Sequence, residues 1–317
     1  MHGRAVALGA GTVLNALATG VGSAFAIDAE TTATVELDDS NAVTGEVAED
    51  AAADTRLIER CVELAVERYG DGEDYGGFVR TESDVPMAAG LKSSSAAANA
   101  SVLATAAALG VDPDREEACR LGVRAARETG VAVTGAFDDA SASMLGGVTV
   151  TDNGDDELLA RDEVEWDVLV WTPEERAYSA DADVERCANV APMAELVADL
   201  ALDGRYAEAM TVNGLAFSAA LGFPADPAVE AMPHATGVSL SGTGPSVVAV
   251  AEQSSAARQR QSGDVDETRC VSSASQNAER SGDVGDRTDL ERVRDLWDRR
   301  DGRTRLTTTR TDGAHTL

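Results

Sequence analysis

The chain has 317 residues, 44% of them hydrophobic and only 4% aromatic, so its core must be packed closely from small side chains. Its 56 Asp and Glu residues outnumber 26 Lys and Arg, which gives a formal net charge of -30. A charge of this size argues against binding to nucleic acids or to anionic membranes, because both would repel the chain.

The basic residues are almost all arginine, and Lys92 is the only lysine in the chain. An acidic surface nearly free of lysine is typical of a protein that works in very high salt, where charge repulsion is screened over a few ångströms. We therefore expect a halophilic source.

The predicted elements mix strands and helices along the whole chain. Glycine, threonine and asparagine predict a loop over 11–23, and amphipathic periodicity predicts a helix over 55–69. An alanine-rich run predicts a helix over 95–109. The other predicted strands are 3–9, 24–28, 32–37, 77–83, 146–151, 166–172, two strands around a glycine turn within 237–251, and 304–310; the other predicted helices are 113–129, 183–202, 206–221 and 289–300.

Strands and helices occur in both halves of the chain, which predicts an α+β protein of two domains. Changes in composition indicate a domain boundary and an insertion. The polar, acidic run 152–156 predicts a boundary between residues 1–155 and residues 156–317. Residues 252–284 are rich in Gln, Ser, Arg and Asp and contain the tetrapeptide SGDV twice. Such a segment buries too little apolar surface to offset the entropy of ordering, so we expect a disordered insertion there.

The N-terminus has some features of a signal peptide. Residues 1–26 are apolar, carry Arg4 early and end in an A-x-A pattern. Glycine, threonine and asparagine interrupt the apolar run, however. The chain has no unbroken stretch of about 20 apolar residues, so we expect no transmembrane helix. We expect a cytoplasmic protein; a secreted binding protein is the alternative.

The cysteines and histidines predict neither disulfides nor a zinc site. The cysteines form no CxxC pair, and the three histidines lack metal-ligand spacing. We expect reduced thiols that pack as small hydrophobic groups. The cysteines are Cys61, Cys119, Cys187 and Cys270.

A glycine- and serine-rich loop before the alanine-rich helix is the strongest functional signal. Small residues let the backbone approach phosphates closely, and a helix start adds unpaired N–H groups and a positive dipole end. Its serines can cap the helix, contact phosphate or hold Mg²⁺, and Lys92 adds a cation. The alternative is a serine-capped helix without a ligand. The loop comprises Pro86, Met87, Ala88, Ala89, Gly90, Leu91, Lys92, Ser93, Ser94, Ser95 and Ala96.

Two further motifs follow the loop. Asp138 and Asp139 come after a glycine turn, where an acid could orient a substrate hydroxyl and accept its proton; the alternative is a pair of solvated turn acids. Between two apolar strands lies the run 239–246 (SLSGTGPS), where a glycine turn could bring backbone against a ligand; the alternative is a plain hairpin.

In this order, the three motifs resemble the GHMP kinase family. The loop matches the family pattern P-x3-G-L-x-S-S at Pro86, Gly90, Leu91, Ser93 and Ser94. Within the family, the runs 3–28, 134–147 and 306–317 resemble the archaeal-type shikimate kinases. The resemblance implies a two-domain fold with ATP and substrate bound between the domains. It also implies transfer of the γ-phosphoryl group of ATP to the 3-hydroxyl of shikimate, in the synthesis of chorismate and aromatic amino acids.

The resemblance also implies roles for individual residues. Asp138 or Asp139 would be the catalytic acid, with Lys92 beside it, and Ser94 would contact Mg²⁺. Arg4 would lie near the phosphates. The loop at residues 86–96 would bind ATP together with Gly242, Thr243 and Gly244; Asn15, Gly22, Ser23 and Asp138 would contact the substrate.

The acceptor and the activity leave alternatives open. Homoserine kinase has the same chemistry on a different alcohol, and a non-catalytic ligand sensor could use the same fold. We expect a small-molecule partner; the sequence does not give an oligomeric state.

Overall fold

The computed structural model describes residues 1–72, 75–87, 89–131, 136–174, 183–253 and 289–317. Several sequence-based predictions lie outside these residues: the insertion from residue 254 onward, Ala88 of the phosphate loop, Thr134 and Gly135 before the acid pair, and Cys270.

The described residues form eleven strands and nine helices. The strands are β1 (His2–Leu14), β2 (Val21–Asp38), β3 (Val43–Val47), β4 (Gly76–Ser83), β5 (Val148–Asp152), β6 (Glu157–Asp162), β7 (Trp166–Thr172), β8 (Gly237–Leu240), β9 (Val247–Glu252), β10 (Arg303–Thr308) and β11 (His315–Thr316). The helices are α1 (Arg56–Tyr69), α2 (Ser93–Ala108), α3 (Arg115–Glu128), α4 (Phe137–Leu145), α5 (Val184–Ala188), α6 (Ala191–Leu202), α7 (Tyr206–Leu221), α8 (Asp226–Ala231) and α9 (Asp289–Trp297).

The strands form two sheets. In the larger sheet the order is β11-β1-β2-β4-β3, and the start of β2 also pairs with β5, which pairs with β6. Strand β2 has 18 residues and therefore serves two neighbours: residues 21–25 pair with β5 and residues 31–38 pair with β4. Only the β3–β4 pair is parallel among these strands. The smaller sheet has the antiparallel order β10-β7-β9-β8.

The two ends of β2 contribute side chains to two different cores. Ala33 and Val35 pack with apolar residues of helices α1 to α4 on one side of the large sheet. Phe25, near the start of β2, packs with residues of the smaller sheet and α7, and its ring meets Trp166 edge-on at 5.6 Å between centroids. The α+β architecture is therefore confirmed.

The predicted loop over 11–23 is wrong at both ends. Strand β1 continues to Leu14 and β2 begins at Val21, and the two predicted strands at 24–28 and 32–37 are one strand. Two of the three glycines that indicated a loop lie where side chains would collide: a Cβ on Gly11 would lie 2.4 Å from the Phe25 ring and one on Gly22 would lie 2.5 Å from the Asp138 Oδ2, whereas Gly20, with φ +85°, belongs to the turn. At Gly11 and Gly22, glycine marks close packing inside a hairpin rather than a turn.

The predicted helix over 183–202 is two helices, because Pro192 begins α6 in its first turn. Strands β3, β6 and β11 and helices α4 and α8 were not predicted from the sequence, since each is short and carries little periodicity. The remaining predicted helices and strands are present, with ends that differ by a few residues.

The chain crosses the predicted domain boundary within a hairpin. Strand β6 pairs with β5, and β11, near residue 317, pairs with β1, so both belong to the large sheet. The division at residue 155 stays a prediction. Residues 24–26, which resemble a cleavage site, are buried in the middle of the large sheet.

Cys61, Cys119 and Cys187 are buried free thiols. In the part of the chain that the structure describes, no helix has the length and apolar character needed to cross a membrane.

Candidate active site

The three motifs, far apart in sequence, meet at one place in the fold. The phosphate loop leads into α2, the acid pair opens α4, and the glycine turn joins β8 to β9. Helix α2 lies against β1 and β2, α4 lies against α2 and β2, and the end of β1 reaches the glycine turn. The long β1–β2 hairpin is therefore the frame that brings the motifs together.

The phosphate loop and the glycine turn touch through their backbones. The Ser241 hydroxyl donates a hydrogen bond to the Gly90 carbonyl at 2.8 Å. Gly90 has φ +78°, and a Cβ there would lie 2.1 Å from the Ser241 carbonyl oxygen. The main-chain N–H of Ala10 on β1 donates to the Leu91 carbonyl at 3.2 Å. The family's glycine at position 90 thus permits a left-handed backbone and a close approach of two loops.

The residue before α2 is Lys92, not a serine. Lys92 is the N-cap with φ 66°, and no side chain caps the helix there. The serine-capped helix, the alternative to a ligand site, is therefore not what forms. Ser93, Ser94 and Ser95 lie in the first turn, where backbone N–H groups have no partner within the helix. Ser94 is exposed and Ser95 is buried.

Lys92 forms an ion pair with Asp139 across the gap between α2 and α4. The Lys92 Nζ lies 2.6 Å from the Asp139 Oδ1, and only 7% of the lysine side chain is exposed. The angles of this contact are not those of a hydrogen bond, so the attraction is chiefly electrostatic. A Cβ built on Gly242 would lie 3.1 Å from the same Nζ, so Lys92 connects all three motifs.

Asp138 lies in a different environment, although it is the neighbour of Asp139. It is only 5% exposed, and its Oδ1 accepts a hydrogen bond from the Asn153 Nδ2 at 2.7 Å. Burial, and after it the negative charge of Asp139, raise the pKa of Asp138 to about 7, against the opposing effects of Lys92 and Asn153. Both acids lie on the first turn of α4, not in the turn that the sequence predicted.

Gly22 leaves the room that the Asp138 carboxylate occupies. A Cβ on Gly22 would lie 2.5 Å from the Asp138 Oδ2. Gly22 is thus adjacent to the acid, as the substrate-site prediction requires. Ser23 is the next residue of β2, so its side chain points to the opposite face of the sheet, the face of Phe25. Its buried Oγ has no hydrogen-bond partner among the described residues.

Asn15 joins the β1–β2 turn to the glycine turn. Its Nδ2 donates to the Gly242 carbonyl at 2.8 Å, and its main-chain N–H donates to the Asn213 Oδ1 at 2.9 Å. Thr12 accepts a hydrogen bond from the Gly242 N–H at 2.8 Å. The side chain of Asn15 therefore holds the glycine turn in place from the N-terminal strand pair.

Arg4 is remote from the phosphate loop, which corrects the expectation placed on it. Its neighbour Gly3 packs on Ala104 and Ala108, near the C-terminal end of α2. The phosphate loop precedes the other end, roughly 16 Å away along the helix axis. Arg4 itself is exposed.

Sequence reasoning missed the polar residues that support the site. Asn153 was assigned to an acidic boundary segment, and Asn99, Asn213 and Thr12 were not singled out. Asn99 is fully buried in α2, and its Nδ2 donates to the Ala140 carbonyl of α4 at 2.9 Å. A buried asparagine inside an alanine-rich helix is a usable signal, because alanine would suit such a position better unless the amide has a partner.

The described residues contain no group of three or more His, Cys, Asp and Glu side chains that could hold a metal ion. At nucleotide sites Mg²⁺ is usually bound through the phosphates and takes few protein ligands. An exposed hydroxyl at the helix start, that of Ser94, is a suitable single ligand.

Comparison with known proteins assigns the family. A model of the GHMP kinases N terminal domain matches residues 56–147. A shikimate kinase of Halobacterium salinarum is 67% identical over 256 residues, which cover 80% of this chain and 89% of the relative. The chain belongs to this family of shikimate kinases, within the GHMP kinases. A shikimate kinase of Methanosarcina mazei is 52% identical over 252 residues, or 79% of this chain and 85% of the relative. Membership makes the chain an ATP-dependent kinase.

Solved structures of other GHMP kinases share the fold. A homoserine kinase from Cytophaga hutchinsonii aligns with a TM-score of 0.68 over 100% of this chain and 97% of that chain, at 16% identity. The mevalonate kinase of Methanococcus jannaschii aligns with a TM-score of 0.69 over 98% of both chains, at 12% identity. Identities this low establish the fold alone, so the GHMP architecture is confirmed independently of the acceptor.

Proposed function

We propose that this chain transfers the γ-phosphoryl group of ATP to the 3-hydroxyl of shikimate, a step in the synthesis of chorismate and aromatic amino acids. The observation that carries the proposal is the 67% identity to a shikimate kinase over most of both chains. The convergence of a phosphate-type loop, a buried acid and the only lysine at one site supports it. We place this reaction in the cytoplasm.

The start of α2 and the glycine turn would form the nucleotide side of the site. Residues 86–96 would line the phosphates, and the N-terminus of α2 offers backbone N–H groups and favours negative charge. Gly242, Thr243 and Gly244 would border the nucleotide, while the Gly242 and Gly244 N–H groups donate to the Thr12 hydroxyl and the Ser241 carbonyl. Gly90 and Gly242 have no side chain to keep the two loops apart, so the phosphate loop and the glycine turn lie close together beside the Lys92 ammonium. The nucleotide side of the site, which we term the phosphate cradle, would therefore consist mainly of the main chain of residues 86–96 and 242–244, with Lys92 as its cation.

Lys92 would neutralise charge on the transferred phosphoryl group. Phosphoryl transfer depends mainly on alignment and charge neutralisation, because there is little covalent chemistry for the protein to do. Asp139 holds the lysine ammonium at 2.6 Å, at the gap between the phosphate cradle and the acid helix. A lysine can leave such a pair for a phosphate oxygen, since its ammonium sits on a flexible stem.

Asp138 would face the acceptor hydroxyl, either as the base that takes its proton or as the group that positions it. With a pKa raised to about 7, the carboxylate form is present at neutral pH and is basic enough to accept a proton. Of the predicted substrate contacts, the Ser23 side chain is buried on the opposite face and the Asn15 side chain is bonded to the glycine turn, so Gly22 is the proposed contact beside the acid.

A magnesium ion, bound with the nucleotide, would supply further charge neutralisation at the β- and γ-phosphates. Ser94 is the proposed protein ligand, because its exposed hydroxyl lies in the first turn of α2. No described acidic cluster competes for this role.

The deciding experiment measures ADP release in molar KCl with Mg-ATP and, in turn, shikimate, homoserine and mevalonate. We expect turnover with shikimate only, and a product phosphorylated at the 3-hydroxyl by NMR. Turnover with homoserine alone would contradict the shikimate assignment and keep the family. Binding of ATP and shikimate without any turnover would instead favour a ligand sensor.

A further inference from the structure

We propose that Asn153 is a positioning residue of the phosphoryl transfer, and that it aims the Asp138 carboxylate at the acceptor hydroxyl. The inference rests on the proposed function. It concerns a residue in the turn between β5 and β6, outside all three motifs.

Three hydrogen bonds hold the Asn153 amide in one orientation. Its Oδ1 accepts from the main-chain N–H of Asp138 at 3.0 Å and from the Thr151 hydroxyl at 2.9 Å. The Asp138 N–H is a donor only, so the oxygen of the amide must face it. The Nδ2 is then left to face the Asp138 Oδ1, to which it donates at 2.7 Å.

This arrangement specifies both the direction and the ionisation of the carboxylate. With Oδ1 engaged by Asn153, Oδ2 lies against Gly22, where an added Cβ would be 2.5 Å from it. A donor N–H pairs with a lone pair of the carboxylate, so it favours the ionised form in a site where burial opposes ionisation. Asn153 is 4% exposed and Asp138 is 5% exposed, so water cannot readily replace this bond.

Two charged groups, in addition to the neutral Asn153 amide, act on Asp138. Asp139, next on α4, disfavours its ionisation, and Lys92, from the start of α2, favours it. These two charges are paired with each other at 2.6 Å, and their effects on Asp138 therefore partly cancel. The neutral amide of Asn153 is the contact that acts on Asp138 alone.

The test is Asn153→Ala, compared with the wild-type chain in the same molar KCl. We expect the acidic limb of the kcat/KM profile to move to higher pH by about one unit, the shift that loss of a hydrogen bond to a charged group implies. We also expect kcat at neutral pH to fall by roughly tenfold or more, with KM for ATP changed by less than about twofold.

A second measurement does not depend on activity. The pKa of Asp138 can be followed by carbon NMR of aspartate-labelled protein, with Asp138→Asn to assign the signal, and it should rise in Asn153→Ala. Asp152→Asn is the matched control: Asp152 accepts from the Gly154 N–H at 2.8 Å in the same turn and has no contact with Asp138 among the described residues. We expect this control to leave both the pH limb and the Asp138 signal in place.

Thr151→Val serves if Asn153→Ala does not fold, because valine suits a strand and removes only the hydroxyl that orients the amide. It should move the pH limb in the same direction by a smaller amount. A lower melting temperature with an unchanged pH limb and an unchanged Asp138 pKa, in whichever variant folds, would overturn the proposal. If the acceptor is homoserine rather than shikimate, the proposed function fails while the same profiles still decide the role of Asn153.

Discussion

Two neighbouring carboxylates, Asp138 and Asp139, differ in what surrounds them. Asp138 is buried and bonded to an amide, whereas Asp139 is paired with Lys92 and retains 20% of its side-chain exposure. Both occupy the first turn of α4, where the helix dipole favours negative charge. For Asp138 the burial outweighs the dipole, since its pKa rises to about 7. The residues therefore have different chemical roles.

Replacing each acid by its amide separates these roles. Asp138→Asn should lower kcat by a factor on the order of 1,000, with a small change in KM for ATP, because the group at the acceptor hydroxyl is lost. Asp139→Asn should lower kcat by a smaller factor and should also change KM for ATP, since it frees the Lys92 ammonium from its partner. Steady-state kinetics of the two variants decide the point. A larger loss of kcat in Asp139→Asn would reverse the assignment.

The raised pKa of Asp138 also predicts how stability depends on pH. Between about pH 4 and about pH 7 the folded state holds a proton that the unfolded chain releases. The contribution of this group to the free energy of unfolding is therefore highest at the acidic end and falls as pH rises through this window. Denaturant unfolding of wild type and Asp138→Asn at several pH values measures it. The free energy of unfolding of the wild type minus that of Asp138→Asn should decrease toward neutral pH. A difference that does not change with pH would contradict this.

At the scale of elements, the position of the site follows from the packing of helices α2 and α4 on the β1–β2 hairpin. Helix α4 lies against β2, and α2 lies against both β1 and β2. The two helices are joined by the Lys92–Asp139 pair and by the bond from Asn99 to the Ala140 carbonyl. The distance between the phosphate cradle and the acid therefore depends on how α2 and α4 pack on β2.

Gly22→Ala tests this packing. A methyl group there would lie 2.5 Å from the Asp138 Oδ2, so the carboxylate must turn away and kcat should fall by roughly a hundredfold, while alanine remains tolerated in a strand. Gly45→Ala in β3 is the control, because its added Cβ meets the Thr55 Cβ at 2.9 Å, away from the acids. Both variants can lose stability, but only Gly22→Ala should lose turnover. Equal kinetics of the two would contradict the steric argument.

At the scale of the whole molecule, repulsion among acidic side chains opposes folding, whereas hydrogen bonds and ion pairs hold distant elements together. The Tyr206 hydroxyl on α7 donates to the Asp162 carboxylate on β6, and Arg310 pairs with Asp28, Glu30 and Asp312. Most other ion pairs are exposed arginine pairs, each of which contributes about 1 kcal/mol or less. Such pairs cannot offset the repulsion within a chain of net charge -30.

Salt should therefore stabilise the fold. We expect the free energy of unfolding to rise as KCl increases from about 0.1 M to about 3 M, because the Debye length shortens from about 10 Å to below 3 Å. Urea unfolding followed by the fluorescence of the buried Trp166, Trp171 and Trp297 measures it, since urea adds no charge. A stability that is unchanged or lower in molar KCl would argue against a halophilic protein.

The sequence by itself determined the helices and strands with strong local periodicity, the α+β class, the family, and the loop and acid pair. These depend on neighbouring residues: the Gly90 to Ser95 run and the adjacent Asp138 and Asp139 can be recognised from the order of residues alone. Gly11 of β1 and Gly22 of β2 misled the prediction, since close packing and a turn require the same residue.

Only the tertiary structure decided which acid pairs with Lys92, that Asn153 holds Asp138, and that Arg4 lies at the far end of α2. Lys92 and Asp139 belong to different helices, and Asn153 belongs to a hairpin turn. Their distances follow from how α2, α4 and β5 pack on β2. Periodicity along a chain records which face of an element is buried, but not which residue of another element lies opposite.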